Sequence, residues 1–162
     1  MSRIVVFGDT HLLYGRRSDL YDQLVSDLSG CDLAIHTGDI VSVPTLEMLR
    51  ELAEIVAVYG NVCLPELRLK LHRREIVEVD GIRIGVLHGD GSYSANHAAQ
   101  AAFPDEDLDV VAFGHSHRRL KETFNDRLLL NPGSVCQPRG EGRSHAIVST
   151  RPELSVEFVI AD

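Results

Sequence analysis

Five short segments of the sequence place aspartate, asparagine or histidine at the end of an apolar run and beside a glycine. In chain order they carry Asp9 and His11, then Asp39, then Asn61, then His88, and finally His115 and His117. Carboxylate, amide and imidazole groups without thiolates form a mixed oxygen and nitrogen donor set, which suits divalent first-row metal ions. Together they supply enough ligands for two adjacent ions that share one carboxylate.

Taken one at a time, most of these segments have a simpler structural explanation. Asp9 and Asp39 can be turn residues, Gly60-Asn61 is a common turn dipeptide, and His88 can be a structural histidine. Only His115-Ser116-His117 favours metal binding by itself, because two imidazoles follow a buried run and a glycine. The metal hypothesis depends on the five segments together, since the structural explanation would require five independent coincidences.

The apolar runs before these segments predict buried strands. The first half of the chain predicts a parallel α/β unit, with strands at 3–8, 33–36 and 54–58 and helices at 18–28 and 45–52. Ser18 is the predicted N-cap of the first helix and Gly30 its predicted stop. The second half predicts hairpins at 75–87, 122–130 and 145–160, with a short helix at 97–102 and a strand at 110–113. We expect an α/β (α+β) fold of two packed sheets with helices outside, and ligands at the carboxyl ends of the strands.

Length and composition set further limits. The 162 residues predict a single domain over residues 1–162, and the net charge of −8 weighs against a broad face for duplex nucleic acid. The basic segment 68–74 is interpreted as a solvated face or a domain edge rather than a nucleic-acid groove. The absence of a membrane-length apolar stretch or a signal-peptide pattern predicts a cytoplasmic protein without a membrane partner. Cys31, Cys63 and Cys136 are too far apart for a CxxC pair and are predicted to be reduced thiols.

The ordered set of segments resembles the signature of the calcineurin-like metallophosphoesterase superfamily, which reads D-x-H, G-D, G-N, H and G-H-x-H. Asn131-Pro132-Gly133-Ser134 and the hairpin-rich second half resemble its YfcE-like small phosphodiesterase branch. The resemblance covers residues 3–134 and fills all seven ligand positions. It implies a four-layer sandwich of two mixed β-sheets flanked by helices.

The same resemblance implies how the ligands are shared. One ion would be held by Asp9, His11, Asp39 and His117. The other would be held by Asp39, Asn61, His88 and His115, which are also the implied catalytic residues. Asp39 would bridge the ions, with manganese ranked first and iron, nickel, cobalt or zinc as alternatives. The implied reaction is in-line attack of an activated water on a small phosphate ester, most simply a diester.

One segment departs from the family pattern. Many members place a histidine after the asparagine, where it is thought to protonate the leaving group, but this chain reads Gly60-Asn61-Val62-Cys63. Valine has no proton to donate, and Cys63 is not read as its replacement. Leaving groups that need no protonation are therefore predicted to be preferred, unless another residue donates the proton. His97 is a candidate for that donor, although a structural position on the helix surface or in the core is the favoured interpretation. The other histidines, His36, His72 and His145, are interpreted as structural, and Asp90 as a candidate partner of a histidine ring nitrogen.

Three other functions remain open at this point. A scaffold subunit of the eukaryotic retromer complex shares the family fold but resembles a phosphoesterase with a degraded site, whereas the ligand set here is complete. A nuclease would use the same two ions, although the acidic charge and the 6% aromatic content argue against polymer binding. Phosphomonoesterase activity is the third alternative. The expected partner is a small phosphate-ester substrate, and a homo-oligomer is possible.

Overall fold

The computed structural model describes residues 1–140 and 142–161. Among these residues, ten strands form two five-stranded mixed sheets. The strands are β1 (Arg3–Phe7), β2 (Leu33–His36), β3 (Ile55–Ala57), β4 (Arg74–Val79), β5 (Ile82–Leu87), β6 (Val110–Ala112), β7 (Arg119–Phe124), β8 (Arg127–Pro132), β9 (Arg143–Ser149) and β10 (Ser155–Ala161). The first sheet has the order β10-β9-β1-β2-β3 and the second the order β4-β5-β6-β8-β7. The predicted pair of mixed sheets is confirmed.

The first sheet combines both halves of the chain. Strands β1, β2 and β3 are parallel, as predicted, and the last hairpin adds β9 antiparallel to β1. The side chains of β1 alternate between two cores. Ile4 and Val6 pack between the two sheets, whereas Val5 and Phe7 pack under the outer helices. Because both faces of β1 are covered, its sequence is apolar at every position from Ile4 to Phe7.

The helices lie outside the sheets and are α1 (Asp22–Ser29), α2 (Val43–Leu52), α3 (Pro65–Arg68) and α4 (Ala95–Ala101). The predicted start of α1 at Ser18 is wrong, because Leu20 and Tyr21 are extended and buried and separate a short 3-10 turn from the helix. Gly30 ends α1 as predicted. None of the helices in the described part of the chain combines the length and apolar character needed to cross a membrane.

A buried polar network connects α1 to β9. His145 Nε2 lies 2.8 Å from Asp27 Oδ2, and His145 Nδ1 lies 2.6 Å from the Tyr21 hydroxyl. The Arg3 guanidinium donates to the other Asp27 oxygen at 2.7 Å. A neutral His145 satisfies both contacts by donating from Nε2 and accepting at Nδ1. Burial lowers the pKa of His145 and outweighs the opposite effect of the Asp27 carboxylate.

Replacing His145 with glutamine is expected to reduce the pH dependence of stability. In the unfolded chain His145 takes up a proton near pH 6.5, whereas the lowered pKa keeps it neutral in the folded protein. The stability that neutral His145 contributes is therefore complete above pH 6.5 and is lost as the pH falls below it. The difference in unfolding free energy between the native protein and His145→Gln should narrow by at most about 1.4 kcal/mol per pH unit. Urea unfolding at pH 7, 6 and 5 measures this difference in unfolding free energy. The control is His72→Gln, which removes an exposed histidine. A difference between the native protein and His145→Gln that does not change with pH would contradict the expectation.

Candidate metal centre

The loops that follow β1, β2, β5 and β6 meet at one edge of the two sheets. The Asp9 N–H donates to Gly38 O at 3.0 Å, and the Gly114 N–H donates to His88 O at 2.9 Å. His88 Nδ1 lies 3.0 Å from Thr37 O, so the loops of the two sheets also contact each other. The candidate residues are therefore brought together from both sheets, at the strand ends where α/β folds place ligand sites.

Glycines next to the candidate ligands allow this close approach. A Cβ atom on Gly60 would overlap Asp39 Oδ1, and one on Gly38 would lie 2.6 Å from His88 Nδ1. Gly38 also has a φ of 106°, which side-chain-bearing residues rarely adopt. The glycines that accompany the polar residues in the sequence thus have a direct steric explanation.

The carboxylate of Asp9 lies at the centre of the cluster and is fully buried. Its Oδ1 is 3.3 Å from His117 Nε2, 3.7 Å from His11 Nε2 and 4.0 Å from His88 Nε2. Two sets of three residues, each with its ligand atoms within 4.8 Å of one another, share this aspartate. They are Asp9, His11 and His117, and Asp9, Asp39 and His88.

Asp39 faces histidines of both sets. Its Oδ2 lies 3.0 Å from His88 Nε2 and 3.5 Å from His11 Nε2. Its Oδ1 accepts a hydrogen bond from the Val62 N–H at 3.1 Å, which fixes the plane of the carboxylate. Asn61 Oδ1 lies 3.1 Å from His88 Nε2, so the amide joins the same side of the cluster.

His115 has a different placement from the other candidates. Its main-chain N–H donates to Asp9 Oδ2 at 3.1 Å, and its ring centre lies 5.1 Å from that of His88 in an edge-to-face arrangement. Its ring is in neither of the two sets of three ligand atoms. All seven candidates thus lie in one cluster, with His115 at its margin.

The cluster fits a cation. Asp9 Oδ1 is buried and has no hydrogen-bond partner among the described residues. The Nε2 atoms of His11 and His117 face each other at 3.1 Å. His88 Nδ1 and His117 Nδ1 lie 3.0 and 2.6 Å from the main-chain oxygens of Thr37 and Gln137. Donation from Nδ1 leaves the lone pair of each Nε2 directed at the carboxylates, which is how metal-binding imidazoles are oriented.

The electrostatics of the cluster favour ionised carboxylates. Burial raises the pKa of Asp9, but its contacts with His11 and His117 outweigh burial and hold the pKa well below the usual range. Burial lowers the pKa of His88, but the Asp39 carboxylate outweighs it, and the pKa rises. Asp9 and Asp39 therefore stay negative, and protons compete with a metal ion for the imidazole nitrogens.

Backbone strain is concentrated at the same residues. Five of the candidates are non-glycine residues at positive φ, namely Asp9 (51°), His11 (50°), Asp39 (61°), His115 (67°) and His117 (58°). Such conformations are uncommon outside glycine and cluster at functional sites, where the surrounding structure enforces them. The strain aims the side chains into the cluster at the expense of local stability.

Other sequence interpretations have mixed outcomes. His36 is buried against the Phe7 ring, as predicted for a core histidine. His97 is exposed, and its Nδ1 lies 2.8 Å from Ser92 Oγ. The interpretation of Asp90 as a partner of a histidine ring is wrong, because its Oδ2 bonds to Arg73 Nη2 at 3.2 Å. Main-chain oxygens take that role instead, and they have no signature in a sequence.

Comparisons with known proteins agree with the geometry. Residues 2–153 match the model of the calcineurin-like phosphoesterase superfamily domain. The chain belongs to this superfamily. It is 36% identical over 158 residues to a probable metallophosphoesterase of Methanocaldococcus jannaschii, a match that covers 96% of this chain and 80% of that protein. Membership makes the protein a metal-binding phosphoesterase by family.

Two further relatives extend the comparison. A phosphodiesterase of Methanocaldococcus jannaschii is 29% identical over 142 residues, which is 75% of this chain and 83% of that protein. Vps29 of Chaetomium thermophilum has the same fold, with a TM-score of 0.80 at 21% identity over 98% of this chain and 97% of that one. The second likeness concerns the fold alone.

Proposed function

We propose that this superfamily member is a phosphodiesterase that hydrolyses a small phosphate ester with two divalent metal ions. The observation that carries the proposal is the buried Asp9 Oδ1, which has no hydrogen-bond partner among the described residues and lies within 4.0 Å of three imidazole Nε2 atoms. A buried anionic oxygen is stable when it is paired with a positive group or coordinates a metal ion. The name of the 29% identical relative supports the choice of a diester.

The resemblance to the superfamily signature supplies the assignment of the ligands, and the two sets of three residues support it with one difference, because they share Asp9 rather than Asp39. Asp9, His11 and His117 would hold one ion, with Asp39 shared between the ions. Asp39, Asn61, His88 and His115 would hold the other. When bound, paired ions lower the pKa of water and neutralise charge on the phosphoryl oxygens. Manganese is the first ion to test, followed by iron, nickel, cobalt and zinc.

The chain's own residues orient the centre and limit the leaving group. The Val62 N–H holds Asp39 Oδ1, so Asp39 presents Oδ2 to His88 and His11. The Val62 side chain is 40% exposed beside Asn61 and carries no proton to donate. Cys63 is buried, and its sulfur accepts the Gly60 N–H. We infer that esters with acidic leaving groups, such as nitrophenols, are cleaved fastest.

Hydrolysis of bis-p-nitrophenyl phosphate tests the proposal. Metal-stripped protein should be inactive, added manganese should restore activity, and Asp39→Asn should remain inactive under both conditions because it loses one of two buried negative charges. Circular dichroism on both proteins verifies that the variant is folded. If the protein binds two ions but shows no turnover with any first-row metal, the proposed enzymatic activity is rejected.

One observation favours a second candidate, a binding module. Leu13, Tyr14, Val43, Pro44 and Leu64 line an apolar surface depression of about 240 Å³. Tyr14 is 75% exposed there, and the same fold occurs in Vps29. A binding module catalyses no reaction. If the protein is a binding module, Asp39→Asn should change its metal affinity and no other measured property. The nitrophenyl assay therefore separates the two candidates.

A further inference from the structure

A cleft opens directly beside the metal cluster, on the side of His88. Its volume is about 220 Å³, and its walls include Arg73, Arg74, Leu87, His88, Ser92 and Ala98. This is below the range of roughly 300–1,000 Å³ typical of pockets for drug-sized ligands. The cleft therefore suits a small chemical group attached to the phosphate rather than a polymer.

The register of the β4–β5 hairpin brings the arginines to this position. Arg74 is the first residue of β4 and pairs with Leu87, the last residue of β5. Arg73 precedes Arg74 in the chain and His88 follows Leu87, so both residues lie at this open end of the hairpin. Main-chain pairing thus fixes Arg74 next to a candidate metal ligand, with Arg73 adjacent in the chain. The sequence alone predicted a solvated face or a domain edge for this segment.

Arg73 is held in place but keeps donors free. Its Nη2 lies 3.2 Å from Asp90 Oδ2 and 3.3 Å from Asp90 O. Its guanidinium carbon lies 5.9 Å from the centre of the Tyr59 ring, and 47% of the side chain is exposed. A guanidinium has five N–H donors, and these contacts use one nitrogen. The remaining donors have no hydrogen-bond partner among residues 1–140 and 142–161, and Arg73 is one of the residues that line the cleft.

Arg74 supplies a charge that the protein does not neutralise. Within residues 1–140 and 142–161 it forms no ion pair, and its guanidinium carbon lies 5.7 Å from the centre of the Phe103 ring. With Arg73 and Asp90, the cleft carries two positive charges and one negative charge in a protein of net charge −8. A local positive field of this kind attracts an anion.

We propose that Arg73 and Arg74 form a subsite for a second anionic group of the substrate, a carboxylate or a phosphate separate from the phosphoryl group at the metal cluster. The inference rests on the proposed function, because it assumes that a phosphate ester occupies that cluster. The substrate class is then a small phosphate ester with two separated negative groups. Leu87 and Ala98 contact the part of the substrate that links them.

Binding of inert phosphonates to the manganese-loaded protein tests the subsite. The probes are the 3- and 4-carboxyphenylphosphonates and their carboxamides, which differ from the acids by a single charge. Titration calorimetry should show the wild-type protein binding at least one acid about tenfold more tightly than its amide. Arg73→Gln and Arg74→Gln should each reduce that preference, and the double variant should bring it to about one.

Arg151→Gln is the matched control, because it removes the same charge at the other end of the first sheet. It lies in the turn after β9, next to Thr150, whose N–H donates to Ser2 O beside the start of β1. The preference for the acid must survive in this variant. No preference in the wild-type protein for either isomer, or a preference that persists in the double variant, would overturn the subsite.

The design also separates the subsite from the proposed function. The phosphonates are not hydrolysed, so their binding reports on the arginines whether or not the protein turns over an ester. A charge preference that depends on both arginines, in a protein inactive on bis-p-nitrophenyl phosphate, would retain the subsite and reject the diesterase. Turnover without a charge preference would retain the diesterase and reject the subsite.

Discussion

Asp9→Asn is expected to lower manganese-dependent hydrolysis of bis-p-nitrophenyl phosphate by about 10³-fold or more. Asp9 belongs to both sets of candidate ligands, so the change weakens both at once. The amide is neutral and presents either an oxygen without charge or an NH₂ group to the imidazoles of His11 and His117. Half of the buried negative charge that Asp9 and Asp39 supply is then lost.

The measurement needs a control for charge and one for folding. Asp105→Asn makes the same chemical change at an exposed turn and should keep full activity. Asparagine has nearly the size of aspartate, so the Asp9 variant should fold, which circular dichroism verifies. Metal content, measured on desalted protein by mass spectrometry, should fall together with the activity. An Asp9→Asn protein with at least a tenth of the wild-type rate would contradict the central role of this carboxylate.

The sequence predicts the positions of the strands better than it predicts which strands pair with one another in the sheets. Leu33–His36 has the predicted bounds, because a short, mostly apolar run that is followed by Thr37-Gly38 has few alternatives. The sheet that contains the last hairpin was not predicted, since β9 joins β1 across more than 130 residues of chain. The start of α1 was misplaced because the buried Leu20 and Tyr21 leave the helix to pack in the core. Both the partner of β9 and the start of α1 depend on long-range packing, and the local periodicity of the sequence gives no information about it.

The candidate site was predictable because its members are polar residues at strand ends. All seven side chains that the motifs identified lie in one cluster, and the roles of ligand and catalyst assigned to them stay predictions. The orientation of His88 and His117 by main-chain oxygens was not predictable, because every residue has such an oxygen. The arginines of the cleft were missed, although the Asp80-Gly81 turn and the hairpin register determine that Arg74 pairs with Leu87.

The metal-free protein is expected to gain about 5 to 10 °C in melting temperature when manganese is added at a hundred times its dissociation constant. Binding at that excess stabilises the folded state by about 2.7 kcal/mol, and each kcal/mol shifts the melting temperature of a domain of this size by roughly 2–4 °C. The structure explains why the metal-free site lowers the stability of the folded protein. Two buried carboxylates lie side by side, and five of the seven candidate ligands, these two aspartates included, have positive φ.

Differential scanning calorimetry with and without manganese measures this gain, and excess chelator should reverse it. The Asp9→Asn protein provides the informative comparison. Without metal it should melt below the temperature of the metal-free wild type, because the neutral amide loses the contacts with His11 and His117 that favour the ionised carboxylate. With manganese it should gain far less. If the wild type and Asp9→Asn gained equally, the ion would bind elsewhere, and Asp9 Oδ1 would need another partner to explain its burial.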